Sequence, residues 1–358
     1  MLEKGKISGF QMTLMLYSTV LATGFLSLPT ITSQYAQNDL WMTGFLSVFM
    51  GFISVHAAVR LHELYPNENV IQHSERIVGK LAGKIIGTIF FLYSIHSTGT
   101  IIRLYADFVN GSFLFKTPIL IIISSMVLLA SITVRGGLET MARSAVIFTP
   151  IFIFSLMFLL LLIPDLDARN IFPILSHGII PVLKGTATPQ AWICELFFMT
   201  YFLPSLTDPS KGRKWGNLAL VAIVLSMVYV NLIVLFLFGP DTDDKSYPVL
   251  VAFRYISAAG FFENLEALLL AMWVVGNFVK ISVFFYAAVL SLAQTLHLSE
   301  YRPIVFPMGI LAVVFSLWDL PDSSRLGTHL RYSVPFEIPI VFTLIPLLLL
   351  LINRLRKI

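Results

Sequence analysis

The chain has 358 residues, of which 57% are hydrophobic and only 12% charged, with a mean hydropathy of +0.83. Soluble globular domains carry about 25% charged residues, so the surface charge is half the usual supply and the apolar excess is too large for one soluble core. Apolar stretches near the ~20 residues of a bilayer crossing recur along the chain, which defines a polytopic membrane protein and excludes nucleic-acid binding, a soluble nucleotide-binding enzyme and a disulfide scaffold. The single cysteine, Cys194, permits neither an intrachain disulfide nor a cysteine metal cluster.

In chain order the apolar segments fall at about 9–33, 40–63, 84–109, 117–134, 141–163, 187–206, 216–239, 262–289, 303–318 and 336–353, ten in all. The first follows the short polar start Glu3-Lys4-Gly5-Lys6 with no small-residue cleavage site behind it, so it is read as a retained span. Connections are short; the longest, 164–186 and 240–261, each have room for a short interfacial helix, and Pro248 suits a first helical position. The net charge of +4 matters through its distribution. Lys4, Lys6, the group Arg60 to Lys84, Arg135, Arg143, the group Lys211 to Lys214, Arg302 and the C-terminal basic residues share one side; Lys116, Arg169, Lys184, Lys245, Arg254, Arg325 and Arg331 share the other. By the positive-inside rule both termini are expected in the cytoplasm.

Span 1 reads Ala22-Thr23-Gly24-Phe25-Leu26-Ser27-Leu28-Pro29, and its counterpart in the second half, span 6, carries Glu195, Phe197-Phe198 and Pro204. Proline removes a backbone donor and glycine tolerates strained dihedrals, and freed backbone groups in lipid survive only where they are buried or line a cavity. Interrupted helices at matched positions of two halves point to a transporter-type site near the midplane; the alternative is that each proline merely kinks a packed helix. The halves are expected at about 9–163 and 187–353, within one transmembrane domain covering 1–358.

Charges inside spans are the second signal, because each costs about 2.5–3.5 kcal/mol at the centre of the bilayer. Glu195 and Lys280 stand out, with Arg103 and His96 less deep. Two readings stay open: ligand binding or proton coupling, or an ion pair that only orients helices. His96-Ser97-Thr98-Gly99-Thr100 is a small, polar patch suited to close helix packing, and Tyr93 and Ser97, four apart, share a face that can also wall a pocket. Trp41, Trp192, Trp215 and Trp318 are read as interfacial anchors. No nucleophile–base pair, phosphate loop or zinc motif is present in the sequence, so neither enzymatic activity nor a cofactor is expected.

An ordered set of short motifs resembles the spore germination permease family, the integral-membrane B subunit of nutrient germinant receptors, within the amino acid–polyamine–organocation transporter superfamily. They are Gly24-x-Leu26-x-Leu28-Pro29, Gly137-Leu138-Glu139-Thr140-x-x-Arg143, Asn170-Ile171-x-Pro173-Ile174-Leu175, Glu195 with Leu203-Pro204, Glu263 with Trp273, and Phe315-Ser316-Leu317-Trp318. The sequence departs from the superfamily pattern in two places: Ala22 and Ile193 stand where glycines are common. The resemblance implies an all-α fold of ten helices in a five-plus-five inverted repeat of the LeuT type, with helices 1 and 6 interrupted around a central pocket. It further implies sensing of a small nutrient such as an amino acid or sugar, in the spore inner membrane, together with an A subunit and a lipoprotein C subunit. The residues expected at the ligand are Thr23, Gly24, Phe25, Leu26, Tyr93, Ser97, Glu195, Phe198 and Met199, with Lys280 and Glu195 as coupling or structural charges. A proton-coupled amino acid transporter and a non-binding or ion-conducting scaffold are the competing expectations.

Overall fold

The structure, a computed structural model, describes residues 3–256, 265–319 and 322–356. Glu263 and the first residues expected in span 8 lie outside the described residues. In chain order the helices are α1 Gly9–Ala36, α2 Leu40–Leu64, α3 Val70–Val78, α4 Lys80–Ser112, α5 Ile119–Arg135, α6 Leu138–Met157, α7 Ile179–Cys194, α8 Met199–Phe202, α9 Gly212–Phe238, α10 Pro248–Tyr255, α11 Glu266–Thr295, α12 Val305–Trp318, α13 Ser323–Tyr332, α14 Val334–Pro339 and α15 Ile345–Arg356. Each of the ten apolar segments is occupied by helix, and α10 starts at Pro248 as expected. Helix α7 begins about two turns earlier than the hydropathy suggests. Two amphipathic helices, α3 and α13, were not expected. Both are set by caps: Asn69 and Gln72 form a reciprocal capping box at α3, and Asp322 accepts from Arg325 N at α13. Gly79, at φ +89°, lets the chain turn directly from α3 into α4, a conformation closed to residues with a Cβ.

Helices α1, α7 and α11 form the centre, and α1 and α11 are buried along most of their lengths. Helices α5, α12 and α15 turn apolar side chains such as Leu128, Leu129, Ile310, Val314 and Leu351 outward, as a lipid-facing layer requires. Gly99 lets α4 approach α12 so closely that a Cβ there would lie 2.7 Å from Phe315 Cβ.

Span 1 differs from the expectation of an interruption. Helix α1 runs through Pro29 without a break. Thr32 Oγ1 donates to Leu28 O (2.8 Å) and Pro29 O (3.2 Å), and Ala22 gives the preceding turn no added freedom. Span 6 does change character: α7 tightens into a 3₁₀ turn over Glu195–Phe198, α8 adds one α turn, and a second 3₁₀ turn over Leu203–Ser205 holds Pro204. With Ile193 in the place of a glycine, the chain rewinds there and does not unwind. A π-turn over Ile340–Leu344 joins α14 to α15.

The segment around Ile7 and the end of α15 sit on one face. Ile7 N donates to Ser205 O and Thr207 N to Ile7 O, each at 2.9 Å, while Arg356 Nη1 donates to the carbonyl of Ile77 in α3 (2.7 Å). Helix α3 is joined to the N-terminal region by a small cavity lined by Glu3, Asn67, Asn69 and Gln72.

Candidate functional site

Glu195, at the start of the 3₁₀ turn, and Lys280, near the middle of α11, meet in the centre. Lys280 Nζ donates to Glu195 Oε2 at 2.9 Å and Oε1 at 3.2 Å, and both side chains are at most 3% exposed. Two opposite charges withdrawn from water this far persist only with direct pairing. The ammonium also lies 5.4 Å from the centroid of the Phe284 ring, one turn along α11.

This pair borders a cavity of about 40 Å³, room for roughly three waters. Thr23, Tyr93, Ser97, Glu195 and Lys280 line it, so five of the ten residues named from the sequence come together around one space. The other five are buried but do not line it. Gly24 sits beneath the Trp192 ring, where a Cβ would approach to 3.1 Å. Phe25 packs edge-on against Phe152 and Trp273, at centroid distances of 5.3 and 5.9 Å. Phe198 contacts Phe284 at 4.4 Å and Phe342 at 4.7 Å, Leu26 is fully buried, and Met199 packs beside Gly216.

Sequence reasoning missed Trp192, Phe284 and the wall made by His329, Leu330, Val334 and Ile338. Trp192 is not the interfacial anchor expected of it: it is 4% exposed and roofs Gly24. Its spacing of three from Glu195 places both on one helical face, a signal present in the sequence. The α13–α14 wall had no such signal, because α13 itself is not apolar. Arg103, less deep in its span than Lys280, pairs with Asp107 one turn on, at 2.8 Å.

The surroundings are asymmetric. On the face opposite the termini a vestibule of about 720 Å³ opens between α1, α4 and α13, with Gln34, Asp107, Tyr247 and Arg331 on its walls. Leu104 and Leu330 border both the vestibule and the central cavity, so these two side chains separate them. On the terminal face the N-terminal segment is tied down by hydrogen bonds. Glu3 accepts from Tyr301 Oη (2.8 Å), Gly5 N (2.8 Å) and Leu138 N (3.1 Å), and Glu139 accepts from Lys6 N (2.9 Å). Beneath it lies a space of about 20 Å³, and a groove of about 500 Å³ opens on the same face between α3 and the C-terminal end of α11.

The helical bundle has the LeuT-type fold. The solved structure of a Na⁺-coupled sialic acid symporter in a substrate-bound, outward-open state is similar over 94% of this chain and 78% of that one, with a TM-score of 0.71 at 12% identity. MhsT in complex with L-phenylalanine is similar over 98% of this chain and 90% of that one, with a TM-score of 0.70 at 10% identity. At such identities the likeness establishes the fold.

The family comes from sequence. A family model described as spore germination protein matches residues 6–323, and the chain belongs to that family. Spore germination protein YndE of Bacillus subtilis (strain 168) is 27% identical over 98% of this chain and 97% of its own length. Spore germination protein KB of the same organism is 24% identical over 99% of this chain and 96% of its own length.

Proposed function

We propose that this protein is the ligand-sensing membrane subunit of a spore germinant receptor, and that a small nutrient, an amino acid or sugar, binds at the central cavity. The observation that carries this reading is the Glu195–Lys280 pair facing a small cavity that also receives Thr23, Tyr93 and Ser97, with a vestibule beyond it. A pair serving only to orient helices has no need of a cavity beside it that also receives hydroxyl groups from α1 and α4. At about 40 Å³ the cavity is collapsed, so binding requires Trp192, Leu104 or Leu330 to move, and that movement is the signal. Sensing needs different affinity in two states and no turnover. The termini lie in the cytoplasm, the vestibule faces outward, and the two five-span halves form an inverted repeat. The membrane is the spore inner membrane, where A and C subunits of the receptor are the partners.

The test is a thermal-unfolding screen of the purified chain against amino acids and sugars. A ligand at 100 times its Kd stabilises by about 2.7 kcal/mol. Thr23→Leu and Glu195→Gln are expected to abolish the shift while the protein still inserts; an unchanged shift in both variants overturns the pocket assignment. The fold shared with a Na⁺-coupled symporter favours transport as a second reading. Gradient-driven uptake of the same compound into proteoliposomes decides for it.

A further inference from the structure

Four chemistry-bearing side chains from distant parts of the sequence, none of them in the ion pair, converge around His329, which also lines the central cavity. They are His96 in α4, Asp319 at the C-terminal end of α12, His329 in α13 and Glu337 in α14. The nearest donor atoms of His96, His329 and Glu337 all lie within 4.8 Å of one another. His329 Nε2 is 3.8 Å from Glu337 Oε2, and the two imidazole rings meet edge to face at 5.5 Å between centroids. His96 Nε2 is held by Asp319 Oδ2 at 2.6 Å.

We propose that His96, His329 and Glu337 form a binding site for a first-row divalent cation of the zinc class, with Asp319 orienting the His96 ring. Three arguments support it. Two imidazoles and one carboxylate are the donor set of open zinc sites, whose ~2.0–2.1 Å bonds put tetrahedral ligands about 3.3 Å apart. Closing from the present spacing takes side-chain rotation, and the site spans three separate helices that have room to adjust. Because Asp319 Oδ2 already holds His96 Nε2 at 2.6 Å, His96 would ligate through Nδ1, and a carboxylate on the far nitrogen of a ligating histidine fixes its tautomer and orientation. Charge points the same way: with neutral imidazoles the two carboxylates bring two negative charges to one spot, and the nearby Arg331 is engaged elsewhere. Its Nε donates to Tyr35 Oη at 3.2 Å, and its guanidinium lies over the Tyr35 ring. The four side chains are between 14% and 39% exposed, so an ion reaches them from water. A bound ion would tie α13 and α14 to α4 beside Leu330, the residue that separates vestibule from cavity.

The experiment uses the full chain, purified through a tag without histidine, stripped with chelator and titrated with Co²⁺ and Zn²⁺. The expected result is one Co²⁺ per chain with the intense visible bands of a four-coordinate site, displaced by Zn²⁺, and a raised unfolding temperature with Zn²⁺. His329→Ala and Glu337→Gln are expected to abolish the bands, and Asp319→Asn to weaken binding 10–100-fold. Glu195→Gln, which alters the nutrient pocket, is expected to leave metal binding unchanged, so this test stands apart from the fate of the sensing reading. No Co²⁺ bands and no Zn²⁺ stabilisation in the unaltered chain would overturn the proposal, as would bands of equal strength in His329→Ala and Glu337→Gln.

Discussion

Replacing Glu195 by Gln leaves the Lys280 ammonium buried with no opposite charge, and replacing Lys280 by Met leaves the carboxylate in the same position. At 2.9 Å the pair's attraction at an effective dielectric of 20 is about 6 kcal/mol. Withdrawing the two charges from water costs several kcal/mol for each ion. The intact pair therefore adds little net stability, whereas loss of one partner costs about 3–5 kcal/mol, because the desolvated survivor stays behind. The double variant Glu195→Gln/Lys280→Met removes both charges and keeps the volume, so it is expected within about 1–2 kcal/mol of the parent. The coupling energy is read from reversible unfolding of the four proteins in mixed detergent micelles, followed by tryptophan fluorescence. Single losses that simply add in the double variant would show that the two charges do not meet, and would refute the reasoning from which the site is built. The double variant is also expected to recover stability without recovering ligand binding, which separates the structural role of the pair from its role in the pocket.

Other outcomes follow from the periphery. His73, in α3 on the terminal face, is fully buried, with Nε2 at 3.2 Å from Tyr65 O, and burial lowers its pKa from 6.5 to about 4. The neutral ring is the folded form, so its contribution is complete above pH 6.5 and is lost as pH falls towards 4, by up to about 3 kcal/mol. His73→Phe is expected to flatten this acid limb of the stability–pH curve, and an identical limb in both proteins would contradict the burial. Gly99→Ala places a Cβ 2.7 Å from Phe315 Cβ and 3.1 Å from the Ser316 backbone nitrogen, which forces α4 and α12 apart. A loss of about 1–3 kcal/mol is expected in thermal unfolding, and an unchanged midpoint would show that the helices do not approach so closely.

Much of this protein is legible in the residue order alone. Hydropathy is a local property, and runs of apolar residues at bilayer length fix where helices form whatever their neighbours. The same logic marks Glu195 and Lys280, because a charge in such a run is costly before its partner is known. Which residues meet is another matter, set by the rotational phase and crossing of helices far apart in the chain. Glu195 finds Lys280 across 85 positions, and His96 meets His329 and Glu337 only because α13, a helix without an apolar run, folds over α4. The same is true of Trp192, whose distance from the end of the expected span suggested an interface, but whose neighbour in space is Gly24. Continuity of α1 was decided in three dimensions too: the sequence offered a proline and a glycine, and packing against α7, α9 and α11 kept the helix continuous through both. Composition thus determined the solvent and the segments, and tertiary structure alone assembled the site, because a partner across the bundle leaves no local trace in the sequence.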